Sequence, residues 1–368
     1  SASLASIRTV DSETRPNTSP VRMGGNLGES LQRRQCAIVK RQNKIAYNSS
    51  TMRALNLVIP FSLPPVEHAR DLLAQLQAPA MAKLLCRASL KNKTTGSVLD
   101  ACLPHERWLA GHTSDNSPSI AATLMAALGL KNETGYWFVL QPVHLHVARD
   151  HLVLTDYRHL NLNDRESRTL FEAACPLFEE QNHRLLYGNK DYWFIQADAW
   201  ADFRTCTPNA ACGHNIDVWS PSGGSARAWR RLQNEVQMLW HQHPLNELRE
   251  QNNQPRLNGL WLWGGSQANE SSGGLLTLAS HVNNTHQVVD ISSNEPSTHI
   301  LDSLSSAALA DDWSHWLHNM NAIDHDYLAP ALAALDSGKL EARLVHWSVA
   351  RNSFRKFWAK PSLARLAA

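Results

Sequence analysis

The chain has 368 residues, 35 of them basic and 33 acidic, for a net charge of +2 with histidine neutral. That length can bury a full core without covalent staples and bounds the count at one or two domains. The balanced charge gives no global signal for nucleic acid or an anionic membrane, and no apolar run reaches the roughly 18–20 residues needed to span a bilayer.

The six cysteines (Cys36, Cys86, Cys102, Cys175, Cys206, Cys212) form no CxxC and no zinc-like spacing. They read as scattered reduced thiols of a cytoplasmic protein. The thirteen tryptophans mostly alternate with other apolar residues, which favours core packing over ligand stacking.

Residues 1–51 stand apart. They are rich in Ser, Asn, Thr and Arg, lack periodic apolar positions, and carry eight basic against three acidic side chains. Such a segment cannot bury enough surface to fold alone, and without an apolar h-region it is no secretory signal. It reads as a disordered basic tail, upstream of a natural start at Met52.

From Arg53 the pattern sharpens. Ala54–Ile59 predicts a buried strand stopped by Pro60, and Val66–Ala88 a helix broken near Pro79, with Leu72, Leu73, Leu76, Met81, Leu84 and Leu85 as its stripe. Helical segments follow around Arg107–Ala110 and Ile120–Leu130. Tyr136–Leu140, Val143–Arg149 and Leu152–Thr155 then predict a β-meander. His144 and His146 share one face of its second strand, the one pair whose local spacing suits a metal. With no Cys or carboxylate partner nearby, a solvated or hydrogen-bonded face is the favoured reading, and no metal site is assigned.

Asn163 followed by Glu166 is a capping box for a helix burying Leu170, Phe171, Ala174 and Phe178. His183–Tyr187 and Tyr192–Gln196 predict two strands joined by Gly188-Asn189-Lys190. In the loop 205–224, His214 and Asp217 could form an acid–base pair, although a loop with two prolines and several glycines is more often a plain connection.

The stretch Arg227–Ser266 is the richest. Trp229, Leu232, Val236, Leu239 and Trp240 share one helical face, and Pro244 should end that helix at His243. A polar elbow follows, with Asn246 and Arg249 three apart. Leu260–Trp263 predicts a buried strand delivering a turn at Gly264-Gly265-Ser266. Helix, elbow, strand and glycine turn together suggest a site at the carboxyl edge of a sheet.

The spacing His243-Pro244-x-Asn246-x-x-Arg249, then Pro255-x-x-Asn258, then a strand ending in Gly264, resembles a segment of the archaeal-type cofactor-independent phosphoglycerate mutases. Leu232, Asn234 and Glu235 fit the same segment loosely. From about Met52 onward the chain is also similar to bacterial RpfE-type regulatory proteins, through the Trp-Leu-Trp-Gly-Gly strand and Pro142-Val143-His144-Leu145. The resemblance to the mutases covers roughly residues 135–266, their inserted domain.

It implies an α/β fold, a mixed sheet with flanking helices. The core would be a degenerate version of the alkaline-phosphatase and phosphoglycerate-mutase type, split into 52–134 and 267–368 around an inserted α+β domain at 135–266. Under that resemblance His214, Asp217, His243, Asn246, Arg249 and Asn258 are the candidate substrate-binding residues, and catalytic residues remain unassigned.

Outside that segment the chain departs from the mutase pattern. Where the mutases end their first strand in a metal-binding Asp-Gly, this chain has Pro60-Phe61-Ser62, and Ala78-Pro79-Ala80-Met81 stands where they carry a nucleophile step. Both changes count against phosphoryl transfer through metal and an activated hydroxyl. Trp263 replaces a strand-end arginine, and an indole cannot pair with phosphate as a guanidinium does.

Toward the C-terminus, Gly274–Ala279, Gln287–Ile291 and Glu341–Trp347 predict strands, and Ser303–Leu309 and His315–Leu335 helices. Asp324-His325-Asp326 is the nearest acidic–histidine cluster, but on a helix its members point apart. The basic, aromatic stretch Arg351–Arg365 reads as a terminal element packing its rings on the core.

The reading is a catalytically degenerate mutase-like protein with a regulatory or small-anion-binding role. Its expected partner is a small anionic ligand or a protein, and no cofactor, membrane or nucleic acid is expected. In that protein His243, Asn246, Arg249 and Asn258 would either hold the anion or lock the elbow. The alternatives are an active mutase or related metal-dependent phosphomonoester enzyme, and a nucleic-acid-binding regulator, for which the near-neutral core offers no basic stripe.

Overall fold

A computed structural model describes residues 53–88, 99–111, 116–131, 134–148, 151–268, 279, 297–337 and 340–345. The chain divides into two units, Ser1–Met52 and Arg53–Ala368. The expected tail lies outside the described residues, as do Gln287–Ile291, Arg351–Arg365 and all of Gly274–Ala279 except Ala279.

The second unit is a mixed α/β structure with two main sheets. Strand β1 (Arg53–Val58) is followed by α1 (Val66–Gln75), α2 (Pro79–Arg87), α3 (Pro104–Ala110) and α4 (Ala121–Ala127). The middle of the chain supplies β2 (Tyr136–Val143), β3 (Leu145–Ala148), β4 (His151–Leu154), α5 (Asp164–Glu179), β5 (Arg184–Tyr187) and β6 (Trp193–Gln196). After these come α6 (Pro208–Ala211), α7 (Ile216–Trp219), α8 (Ala226–His241), α9 (Pro244–Gln251) and β7 (Gly259–Gln267). The last part carries β8 (Ser297–Ile300), α10 (Ser305–Leu309), α11 (Trp313–Ile323), a π-helical turn (Asp324–Leu328), α12 (Ala329–Asp336) and β9 (Leu340–Val345).

β8, β1 and β9 form a parallel sheet with β1 central. Strands distant in sequence thus close one sheet, which requires long crossovers. Leu55, Leu57 and Ile59 pack with Leu72 of α1, Met81 and Leu84 of α2, and Trp316 and Met320 of α11. Pro60 ends the strand, as its missing N–H dictates. Phe61 takes a left-handed φ of 55°, and its carbonyl accepts the Trp316 indole N–H at 2.9 Å.

The second sheet is antiparallel in the order β5-β6-β2-β7, and β3 and β4 form a separate ribbon. Its two faces are covered differently. Phe138, Leu140, Trp193, Ile195, Leu260 and Leu262 meet Leu170 and Phe178 of α5 and Trp229, Leu232, Val236 and Trp240 of α8. Trp137, Val139, Phe194, Trp261 and Trp263 meet Ile120, Ala121, Leu124 and Met125 of α4 and the short helices α6 and α7. β2 is therefore buried on both faces, which is why it reads as a continuous apolar run.

The expectation for Gly264–Ser266 is corrected. These residues do not turn the chain at a sheet edge; β7 runs through them to Gln267, antiparallel to β2. Between Trp137 and Val139 the register shifts by one residue on β7, a bulge. Gly264 sits there at φ +70°, and a Cβ would come within 2.8 Å of Ile120 Cγ2. The bulge serves α4: Ser266 Oγ accepts the Ala122 N–H at 2.9 Å, and the Gly264 carbonyl accepts the Ile120 N–H at 3.1 Å.

Candidate functional site

The elbow joins α8 to β7. α8 ends at His241, and Pro244 occupies the first turn of α9 with His243 as its N-cap. His243 Nδ1 accepts the Leu245 N–H at 3.1 Å, so the neutral ring carries its proton on Nε2. Asn246 is fully buried. Its Nδ2 donates to the carbonyls of Trp240 and Leu257, both at 2.8 Å, and its Oδ1 accepts the Leu257 N–H at 2.8 Å.

Arg249 is also fully buried, at 0 % exposure. Nε donates to the Pro255 carbonyl at 2.9 Å, Nη2 to the Leu160 carbonyl at 2.5 Å, and Nη1 to Glu166 Oε2 at 2.8 Å. Asn258 does the same work one strand over: Oδ1 accepts the Leu145 N–H at 2.7 Å and Nδ2 donates to the Leu145 carbonyl at 2.8 Å. The structure therefore brings Asn246, Arg249 and Asn258 into one clamp, each engaged with backbone or with Glu166.

His214 and Asp217 lie elsewhere. Asn215, between them, bridges Val153 of β4, whereas Asn258 holds Leu145 of β3, so the two groups flank opposite edges of the ribbon. Both side chains are exposed. His214 stacks on Trp219 with centroids 6.0 Å apart, and Asp217 gives its N–H to Asn215 Oδ1 at 2.9 Å. Among the described residues no hydrogen bond or ion pair joins them.

The histidine pair of the ribbon is likewise engaged in the fold. His144 Nδ1 meets the Arg256 carbonyl at 2.7 Å and His146 Nδ1 meets Thr155 Oγ1 at 3.3 Å. Burial lowers the His144 pKa, its bond to Arg256 opposing. Among the described residues no group of three or more His, Cys, Asp or Glu is placed to hold a metal ion, and no described helix is long and apolar enough to cross a membrane.

At the parallel sheet, Ser62 and Asp324 both have partners within the fold. Ser62 is buried and donates its hydroxyl to the Ile59 carbonyl at 2.8 Å. The Asp324 carboxylate, from the acidic–histidine cluster, accepts the N–H groups of Met81 at 2.6 Å and Ala80 at 3.1 Å. It thereby satisfies two orphan donors at the start of α2.

Sequence reasoning missed a buried polar network between the sheets. Glu106 Oε2 accepts the Leu103 N–H and the Thr207 hydroxyl, both at 2.7 Å, and Oε1 accepts Asn209 Nδ2 at 3.0 Å. Asn209 Oδ1 accepts Arg158 Nη2 at 2.8 Å, and Arg158 Nη1 donates to Asp156 Oδ1 at 2.8 Å. Arg158 also lies 3.6 Å from Asp302, just past the carboxyl end of β8. Burial alone would lower the Arg158 pKa, but Tyr157, Asp302 and Asp156 outweigh it and hold the guanidinium charged. The one local signal was Leu103-Pro104-x-Glu106, a helix start with proline in its first turn and an acid at its third position.

Solved structures align with the chain, two of them as follows. A cofactor-independent phosphoglycerate mutase from Thermoplasma acidophilum DSM 1728 is 12 % identical, with 74 % of this chain and 83 % of that one covered at a TM-score of 0.32. The PH0037 protein from Pyrococcus horikoshii is 13 % identical, with 77 % and 78 % covered at a TM-score of 0.37. No family model matches the chain, and no curated protein matches it.

Proposed function

We propose that this chain is a mutase-like α/β protein that has given up phosphoryl transfer and acts by binding, with a small anion or a protein as its partner. The observation that carries the reading is the commitment of Arg249 and of the Asp324 carboxylate to the fold. Each of the three Arg249 nitrogens donates a hydrogen bond inside the fold, to Pro255, Leu160 and Glu166, and each Asp324 carboxylate oxygen accepts an N–H of α2. A guanidinium that must release three partners to meet a phosphate gives up much of what the new contact would gain.

In this reading Asn246, Arg249 and Asn258 hold the elbow together, a role that fits their resemblance-derived spacing as well as substrate binding does. His214 and Asp217 on the surface, and His243 through Nε2, are the nominated side chains left to meet a ligand. The test is metal content by mass spectrometry on the full chain. It is followed by 31P NMR of 3-phosphoglycerate incubated with the chain and manganese, zinc or magnesium. No stoichiometric metal and no conversion to 2-phosphoglycerate are expected. Metal-dependent turnover that saturates with substrate would overturn the reading.

A further inference from the structure

We draw no further inference here: the strongest candidate, the cluster of Asp156, Arg158, His159, Asp302 and Ser306 at the carboxyl end of β8, carries nothing, because its groups are engaged with one another, Arg158 with Asp156 and Asp302 and His159 with Ser306 and Asp156, and nothing in the structure shows room for a ligand beside them.

Discussion

Arg249 Nη1 lies 2.8 Å from Glu166 Oε2, and that same oxygen accepts the Asn163 N–H at 3.2 Å to close the capping box of α5. One carboxylate thus fixes the start of one helix and docks another 83 residues away. The arginine side of the pair is fully buried and the glutamate side 15 % exposed, so the contact is shielded from water on one side and wet on the other.

Removing the arginine leaves Glu166 half-shielded without its partner, and the Pro255 and Leu160 carbonyls unmatched. Arg249→Ala is expected to cost about 3–5 kcal/mol of unfolding free energy, the usual loss when one partner of a buried pair is deleted. Glu166→Gln should cost less, because a neutral acceptor remains. Urea denaturation of both single variants and the double variant measures this; additive losses would show that the pair is not coupled.

Asn246→Ala removes two donors and one acceptor from a buried site and strands the Leu257 N–H. The expected loss is about 2–3 kcal/mol, set by the desolvation of the groups left behind. The same denaturation series reads it, and a loss below about 0.5 kcal/mol would be that of an ordinary surface change.

Asp324 and α2 are linked across 243 and 244 residues by hydrogen bonds to Met81 and Ala80. Asp324→Ala should destabilise by about 1–2 kcal/mol, the range for losing a helix cap, and Asp324→Asn by less because one acceptor oxygen survives. Hydrogen exchange should speed first at the Ala80 and Met81 amides. Unchanged protection there would mean that the carboxylate does not cap the helix.

Burial lowers the pKa of both His144 and His183 from the ordinary 6.5. The folded chain therefore binds fewer protons than the unfolded chain in this window, and stability rises with pH there. The contribution is fully present above about pH 6.5 and is lost as pH falls through the lowered folded values. Unfolding free energies measured from pH 8 to pH 5 should decline, and His144→Gln should flatten the slope.

How far the sequence could be read followed the distance over which each contact acts. The capping box at Asn163 and Glu166 was legible because its partners lie three residues apart, and the apolar face from Trp229 to Trp240 and the run of β1 were legible because apolar spacing within each segment declares it. The bulge at Gly264 was read as a turn because a glycine pair has the same local signature in both, and only the pairing with β2 distinguishes them. β8 is four residues long and pairs with a strand 242 residues away, so nothing near it announced a sheet. The Glu106–Asn209–Arg158 chain is assembled from three separate loops and helices. Spacing singled out Asn246, Arg249 and Asn258, but spacing does not distinguish a side chain that binds a ligand from one that binds its own backbone.

The most direct test of that distinction is isothermal titration of 3-phosphoglycerate into the wild-type chain and into Arg249→Lys, with circular dichroism confirming that the variant is folded. With the guanidinium spent inside the elbow, any anion binding of the wild type should persist in Arg249→Lys with its Kd within about threefold. Saturable binding in the wild type that disappears in a folded Arg249→Lys would contradict the account and return the elbow to the role of a substrate site.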